Sequence, residues 1–170
     1  MRTNLSFINV YKKRSLRSKI VTQFLYGETF KIIQEKKSWF KVKNDSDNYI
    51  GFIKKNNFFS NQKATHKICK LSAELYSSPG VKIKKKLSFG SEIKVIGIKN
   101  NFYKFDNFWI KKKDLKKKNY NSKDIFKNIT KFVGTKYKWG GKHYTGIDCS
   151  GLVQIFLNFN NKFCPRDTKD

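Results

Sequence analysis

The chain has 170 residues, enough for one ordinary domain or two to three small ones. Its 38 basic against 12 acidic side chains give a net charge of +26, yet 38% hydrophobic residues, with 16 Phe, exclude a fully disordered chain. No apolar run approaches the roughly 18–20 residues that cross a bilayer, and three cysteines without CxxC spacing argue against both a disulfide framework and a zinc site.

The opening stretch, residues 1–21, is basic but has no continuous apolar core, so it does not read as a secretory signal. A reducing, cytoplasmic setting is the simplest expectation. The charge is almost all lysine: Arg occurs only at Arg2, Arg14, Arg17 and Arg166. Codons rich in A and T give such a bias with no ligand involved, and readers of bases and phosphates favour the arginine fork. Nucleic acid is therefore not the expected partner.

Two stretches repeat. Tyr26-Gly27-Glu28-Thr29-Phe30-Lys31-Ile32-Ile33 agrees in kind, position by position, with Phe89-Gly90-Ser91-Glu92-Ile93-Lys94-Val95-Ile96. Short alternating segments follow each copy: Trp39–Val42 and Tyr49–Ile53 after the first, Phe102–Phe105 and Phe108–Ile110 after the second. Alternation with Gly and Asn/Asp turns predicts small all-β units. Phe30, Ile32, Phe40 and Val42 should face one core, Lys31 and Lys41 water, and Trp39 and Trp109 should be buried. Residues 54–65 and 111–121 read as lysine-rich connectors. Both units resemble bacterial SH3-like domains, over about residues 5–60 and 65–116, and such domains commonly recognise or position ligands.

Further on, Ser122 is a plausible N-cap and Asp124 suits a first turn. Ile125, Phe126, Ile129, Phe132 and Val133 have helical spacing, and Gly134 reads as a stop. A second helix is expected from Ser150, with Leu152, Ile155, Phe156 and Phe159 on its apolar face. Cys149 then stands at a helix N-terminus, where unpaired N–H groups and the helix dipole favour thiolate and could stabilise an adjacent oxyanion. That position makes it a candidate nucleophile, although a small buried hydrophobe is the commoner fate of cysteine.

Tyr137-x-Trp139-Gly140-Gly141, followed by Gly146-Ile147-Asp148-Cys149-Ser150-Gly151-Leu152-Val153-Gln154, strongly resembles the NlpC/P60 cysteine peptidases, papain-like enzymes that cut the peptide stems of bacterial cell wall. Pro165-Arg166-Asp167-Thr168 is similar to that family's segment after the cysteine helix. Two SH3-like units ahead of the peptidase part resemble a subgroup that hydrolyses the bond between γ-D-glutamate and a diamino acid. The resemblance implies Cys149 as nucleophile and Tyr137, Asp148 and Ser150 as substrate-binding residues, with Asp148 suited to a free substrate amine. It implies no metal or cofactor, and peptidoglycan stem peptides as partners. In such relatives the first SH3-like unit narrows the cleft; Glu28 is one residue that could do so, against a solvated turn carboxylate.

The expected fold is therefore two small all-β SH3-like barrels (1–60 and 61–118) followed by the helical first half of an α+β papain-like domain (119–170). The family's histidine base follows the cysteine helix at some distance, and neither His66, in a connector, nor His143, in a loop, matches it. The chain is accordingly expected to be truncated and to have little activity alone, unless a separate chain supplies the rest. A non-catalytic basic SH3-like protein that binds wall fragments or RNA is the alternative.

Overall fold

The computed structural model describes residues 1–167. Strands dominate. The first sheet runs β2-β1-β5-β4-β3, from β1 (Phe7–Tyr11), β2 (Ile20–Leu25), β3 (Phe30–Lys36), β4 (Trp39–Asn44) and β5 (Ile50–Lys54). A three-stranded sheet combines β6 (His66–Ile68), β9 (Glu92–Ile93) and β13 (Leu115–Lys117). The second five-stranded sheet, β10-β11-β12-β7-β8, holds β7 (Ser72–Ser78), β8 (Val81–Ser88), β10 (Gly97–Lys99), β11 (Phe102–Phe105) and β12 (Phe108–Lys111). A hairpin of β14 (Lys142–His143) and β15 (Gly146–Ile147) leads into α1 (Cys149–Phe159).

Three cores hold these elements, and three consecutive residues enter all three. Phe24 packs with Val10, Phe30 and Val42 inside the first sheet. Leu25 joins Phe89, Phe156 and Phe159 under α1. Tyr26 enters the core between the second and third sheets, edge-on to Phe105 at 5.8 Å, and its hydroxyl donates to Asp106. The repeated aromatic-glycine pair thus plugs forward each time. Tyr26 leaves the first unit for the second; Phe89 leaves the second to stack on Phe159 at 4.5 Å. Gly27 at φ +83° lets the two turns touch, since a Cβ there would lie 1.9 Å from the Glu92 carbonyl oxygen.

The expected helical first half of a papain-like domain is absent. Residues 119–167 contain one α-helix, α1, and the predicted helix over Ser122–Val133 is reduced to a 3-10 turn at Ile129–Phe132. The Asp124 carboxylate accepts from the Phe126 N–H at 3.0 Å, a local bond that competes with helical pairing. The Ser122 N–H donates to the Asn160 side chain instead of starting a helix. Only Phe132 of the apolar set is fully buried; Phe126, Ile129 and Val133 stay exposed. So short a helix needs packing that these residues do not receive.

Smaller expectations also change. Residues 111–121 are not all connector: Leu115–Lys117 pair with β6 in the middle sheet, and His66 of β6 pairs with Lys117 and Ile93 there. Ile32 lies on the edge strand β3, just before a bulge between Ile32 and Gln34, and is exposed. Trp39 is buried against Tyr11, but Trp109 is half-buried because Ile110 takes the inward position of β12. No helix among the described residues is long and apolar enough to cross a membrane.

Truncating either plug should be costly. Tyr26→Ala and Phe89→Ala are each expected to destabilise by about 3–5 kcal/mol, since each removes a buried ring from a core it does not belong to by sequence. Exposed Ile98→Ala should change stability by less than about 0.5 kcal/mol. Urea unfolding followed by tryptophan fluorescence reads all three.

Candidate functional site

The Cys149 helix begins on a carboxylate. Asp148, in extended conformation, caps α1 by accepting from the Gly151 N–H at 2.7 Å. Its other oxygen accepts from the Gly140 N–H and from the Arg166 guanidinium, both at 2.7 Å. Ser150 donates its hydroxyl to Asp148 at 3.4 Å and accepts from Arg166. Arg166 also donates to the Thr22 hydroxyl at 2.9 Å. Asp148 and Arg166 are both buried, so each charge is matched by an opposite one and by hydrogen bonds. The four acceptor positions of Asp148 are occupied. A substrate amine arriving there would have to displace Ser150 or Arg166.

Cys149 itself is exposed at the first position of α1. The N–H groups of Cys149 and Ser150 lie too early in the helix for intrahelical bonds. They stand in a cleft of about 720 Å³ that brings together Tyr137, Asp148, Cys149 and Ser150, all four of the sequence-derived site residues. Tyr137 and Trp139, both about two-thirds exposed, flank it. They are set there by the β14–β15 hairpin, where Tyr137 bridges Ile147 and the Lys138 N–H donates to the Ile147 carbonyl. Gly140, at φ +72°, passes so close to the first sheet that a Cβ would meet the Ile20 carbonyl oxygen at 2.7 Å.

The first unit supplies much of the cleft. Lys12, Lys19, Val21, Tyr49 and Ile50 line it. Sequence reasoning did not single these out, because nothing local marks a strand end as the wall of a site far along the chain. The Tyr49 hydroxyl donates to Asp167 at 3.3 Å; burial and the neighbouring carboxylate push its pKa up to about 12. Thr168, part of the motif similar to the family's later segment, lies outside the described residues.

Glu28 is neither a cleft residue nor a solvated turn carboxylate. It accepts from the buried Lys142 ammonium at 2.8 Å and from Asn44, while the Lys142 N–H donates to Gln23. Burial raises the Glu28 pKa and Lys142 opposes the rise. His143, expected in a solvated loop, is buried between Phe7 and Tyr144. Its Nδ1 pairs with Thr145, and its Nε2 has no partner among the described residues. Neither histidine lines the cleft, and the described residues hold no cluster of three His, Cys, Asp or Glu side chains fit for a metal.

Two measurements test this arrangement. Arg166→Met leaves Asp148 buried without its cation and should destabilise by about 3–5 kcal/mol. Burial lowers the His143 pKa from 6.5 to about 4, so the unfolded chain binds the proton more readily between those values. The stability from keeping this ring neutral is complete above pH 6.5 and is lost as the pH falls toward 4. His143→Phe should therefore flatten the pH dependence of urea unfolding by about 2–3 kcal/mol between pH 7 and pH 4.

Residues 10–58 match the bacterial dipeptidyl-peptidase Sh3 domain, and residues 134–170 match the NlpC/P60 family. Over 95% of its length the chain is 22% identical to dipeptidyl-peptidase 6 of Lysinibacillus sphaericus, of which it covers 69%. It is 23% identical to the gamma-D-glutamyl-L-lysine dipeptidyl-peptidase of Bacillus cereus, covering 89% of this chain and 54% of that protein. The chain thus spans about half the length of this second relative. A crystal structure of an NlpC/P60 family protein from Bacillus cereus superposes with a TM-score of 0.85 at 17% identity, over 98% of this chain and 74% of that one, a likeness of fold. The chain thus carries a bacterial dipeptidyl-peptidase Sh3 match in its first sheet and an NlpC/P60 family match around the Cys149 helix.

Proposed function

We propose that this chain carries the nucleophile of a cysteine peptidase that cuts murein stem peptides at the γ-D-glutamyl–diamino acid bond. The observation that carries this reading is Cys149, exposed on the first turn of the one α-helix of the described residues, inside a cleft walled by the first sheet. The names of both relatives support a dipeptidyl-peptidase, and that of the Bacillus cereus relative supports the γ-D-glutamyl bond. The Cys149 thiolate would attack the scissile carbonyl carbon, and the oxyanion would rest on the N–H groups of Cys149 and Ser150. The amine would leave with a proton drawn from water in the open cleft, and a second water would then hydrolyse the thioester to the free acid and the thiol. Tyr137 and Ser150 would contact the substrate. Asp148, already bonded four ways, would hold the helix start and Ser150 in place.

Proton transfer to the leaving amine is assigned to neither His66 nor His143, since neither reaches the cleft. Covalent capture therefore tests the reading better than turnover. Burial raises the thiol pKa of both Cys69 and Cys164, and neither is fully exposed. L-alanyl-γ-D-glutamyl chloromethyl ketone should label Cys149 at least about ten-fold faster than Cys69 or Cys164, and free L-alanyl-γ-D-glutamate should slow it. Cys149→Ala should abolish the fast phase. Equal labelling of the three thiols, read by peptide mass spectrometry, would overturn the assignment. Release of L-lysine from L-alanyl-γ-D-glutamyl-L-lysine by residues 1–170 alone should stay near background.

A further inference from the structure

The segment joining β1 to β2 is rich in donors and has no carboxylate. Between Tyr11 and Ile20 stand Lys12, Lys13, Arg14, Arg17 and Lys19, with two of the chain's four arginines and no Asp or Glu. Lysine abundance explains how many cations the chain has. It does not explain a hollow lined only by cations and hydroxyls. That hollow, about 450 Å³, is formed by Lys12, Lys13, Ser15, Arg17, Ser18 and Lys19. It shares Lys12 and Lys19 with the cleft that holds Cys149.

The loop satisfies its own backbone and leaves its side-chain donors over. The Lys12 N–H donates to the Lys19 carbonyl at 3.0 Å, closing the loop, and the Ser18 N–H donates to the Ser15 carbonyl. The Ser18 hydroxyl oxygen accepts from the Lys13 N–H, and that of Ser15 from the Arg17 N–H. Both hydroxyls keep their O–H to donate. Arg14 is engaged by Gln34 and by the Phe52 ring. Lys12, Lys13, Arg17 and Lys19 form no ion pair among the described residues. Inside the cleft, Arg166 is spent on Asp148, Ser150 and Thr22, so the cations left to meet a ligand there are Lys12 and Lys19.

We propose that the 12–19 loop is an oxyanion site that takes the free carboxylate of the peptide substrate. The inference rests on the peptidase reading above and adds the residues that would select the substrate. A γ-linked glutamyl residue forms its amide through the side chain, so its α-carboxylate stays free a few bonds from the reacting carbonyl. Two ammonium groups on the cleft wall, backed by Lys13, Arg17 and two hydroxyl donors, complement that charge. An α-linked peptide carries no carboxylate at this place.

Binding to the full chain tests the proposal without needing turnover. L-alanyl-γ-D-glutamyl-L-lysine and the same peptide with its glutamyl α-carboxyl amidated are titrated by calorimetry, with the exposed Trp139 as fluorescence reporter. The acid should bind about ten-fold more tightly than the amide, and Lys12→Gln/Lys19→Gln should erase the difference. Lys84→Gln/Lys85→Gln, the same charge change on a distant strand, should leave it intact. Equal affinity for acid and amide in the unmutated chain overturns this inference and leaves the peptidase reading standing. Failure of both peptides to bind overturns both. Inorganic phosphate is the third probe: if it binds in a manner that Lys12→Gln/Lys19→Gln abolishes, but does not displace the peptide, the loop is a phosphate site and the carboxylate assignment is wrong.

Discussion

The structure depends on Phe24-Leu25-Tyr26, where β2 ends. A regular strand sends alternate side chains to two faces. Here the strand ends between those faces and the next unit, so three successive residues serve three cores. Each core alone is small, and small cores bury too little surface to be stable by themselves. Three adjacent anchors make the cores share their stability. The repeat reuses the device one unit later, with Phe89 passing into the core beneath α1. The chain is a relay in which each unit completes the next.

That relay explains why the cleft can be composite. The Cys149 helix is held at its start by Asp148 and Arg166, and Arg166 is itself held by Thr22 of β2. Lys142, in the hairpin ahead of the helix, is matched by Glu28 and Gln23 of the first unit. At the far end, the buried Lys67 ammonium of β6 donates to the Phe159 and Tyr120 carbonyls, and burial lowers its pKa to about 8. A cation at the C-terminal carbonyls of a helix complements its dipole. Buried charges gain little as isolated pairs. Here each is also hydrogen-bonded, and each fixes one element relative to another. The net effect is positional: the first and second units determine where the helix that bears the thiol begins and ends.

Much of the site was legible because its signals are local. An apolar helical period from Leu152 to Phe159 marks a helix, so Cys149 could be read as a thiol at its N-terminus, whereas the Asp148 cap emerged only in the structure. The aromatic-glycine repeat was legible for the same reason, since a positive φ after a core residue leaves its mark in two adjacent letters. Local signals misled where competing local bonds existed. Residues 122–133 have a helical period, but Asp124 closes an Asx turn and the apolar side chains find too few partners. Lysine content disguised β13 as a connector, because its one inward residue, Leu115, sits among cations that need only point outward.

The sequence by itself determined the β-rich units, the glycine turns, the cysteine helix and the family resemblance carried by it. Each of these is set by periods and caps that act within a few residues. Tertiary structure alone decided which core each aromatic enters, that His143 is buried and Glu28 paired, and that Lys12, Lys19 and Tyr49 share a cleft with Cys149. Those outcomes depend on pairs such as Thr22 and Arg166, 144 residues apart. No local pattern encodes such a pair, because what joins it is burial: a guanidinium removed from water must find acceptors, and the fold brings the Thr22 hydroxyl and the Asp148 carboxylate within reach.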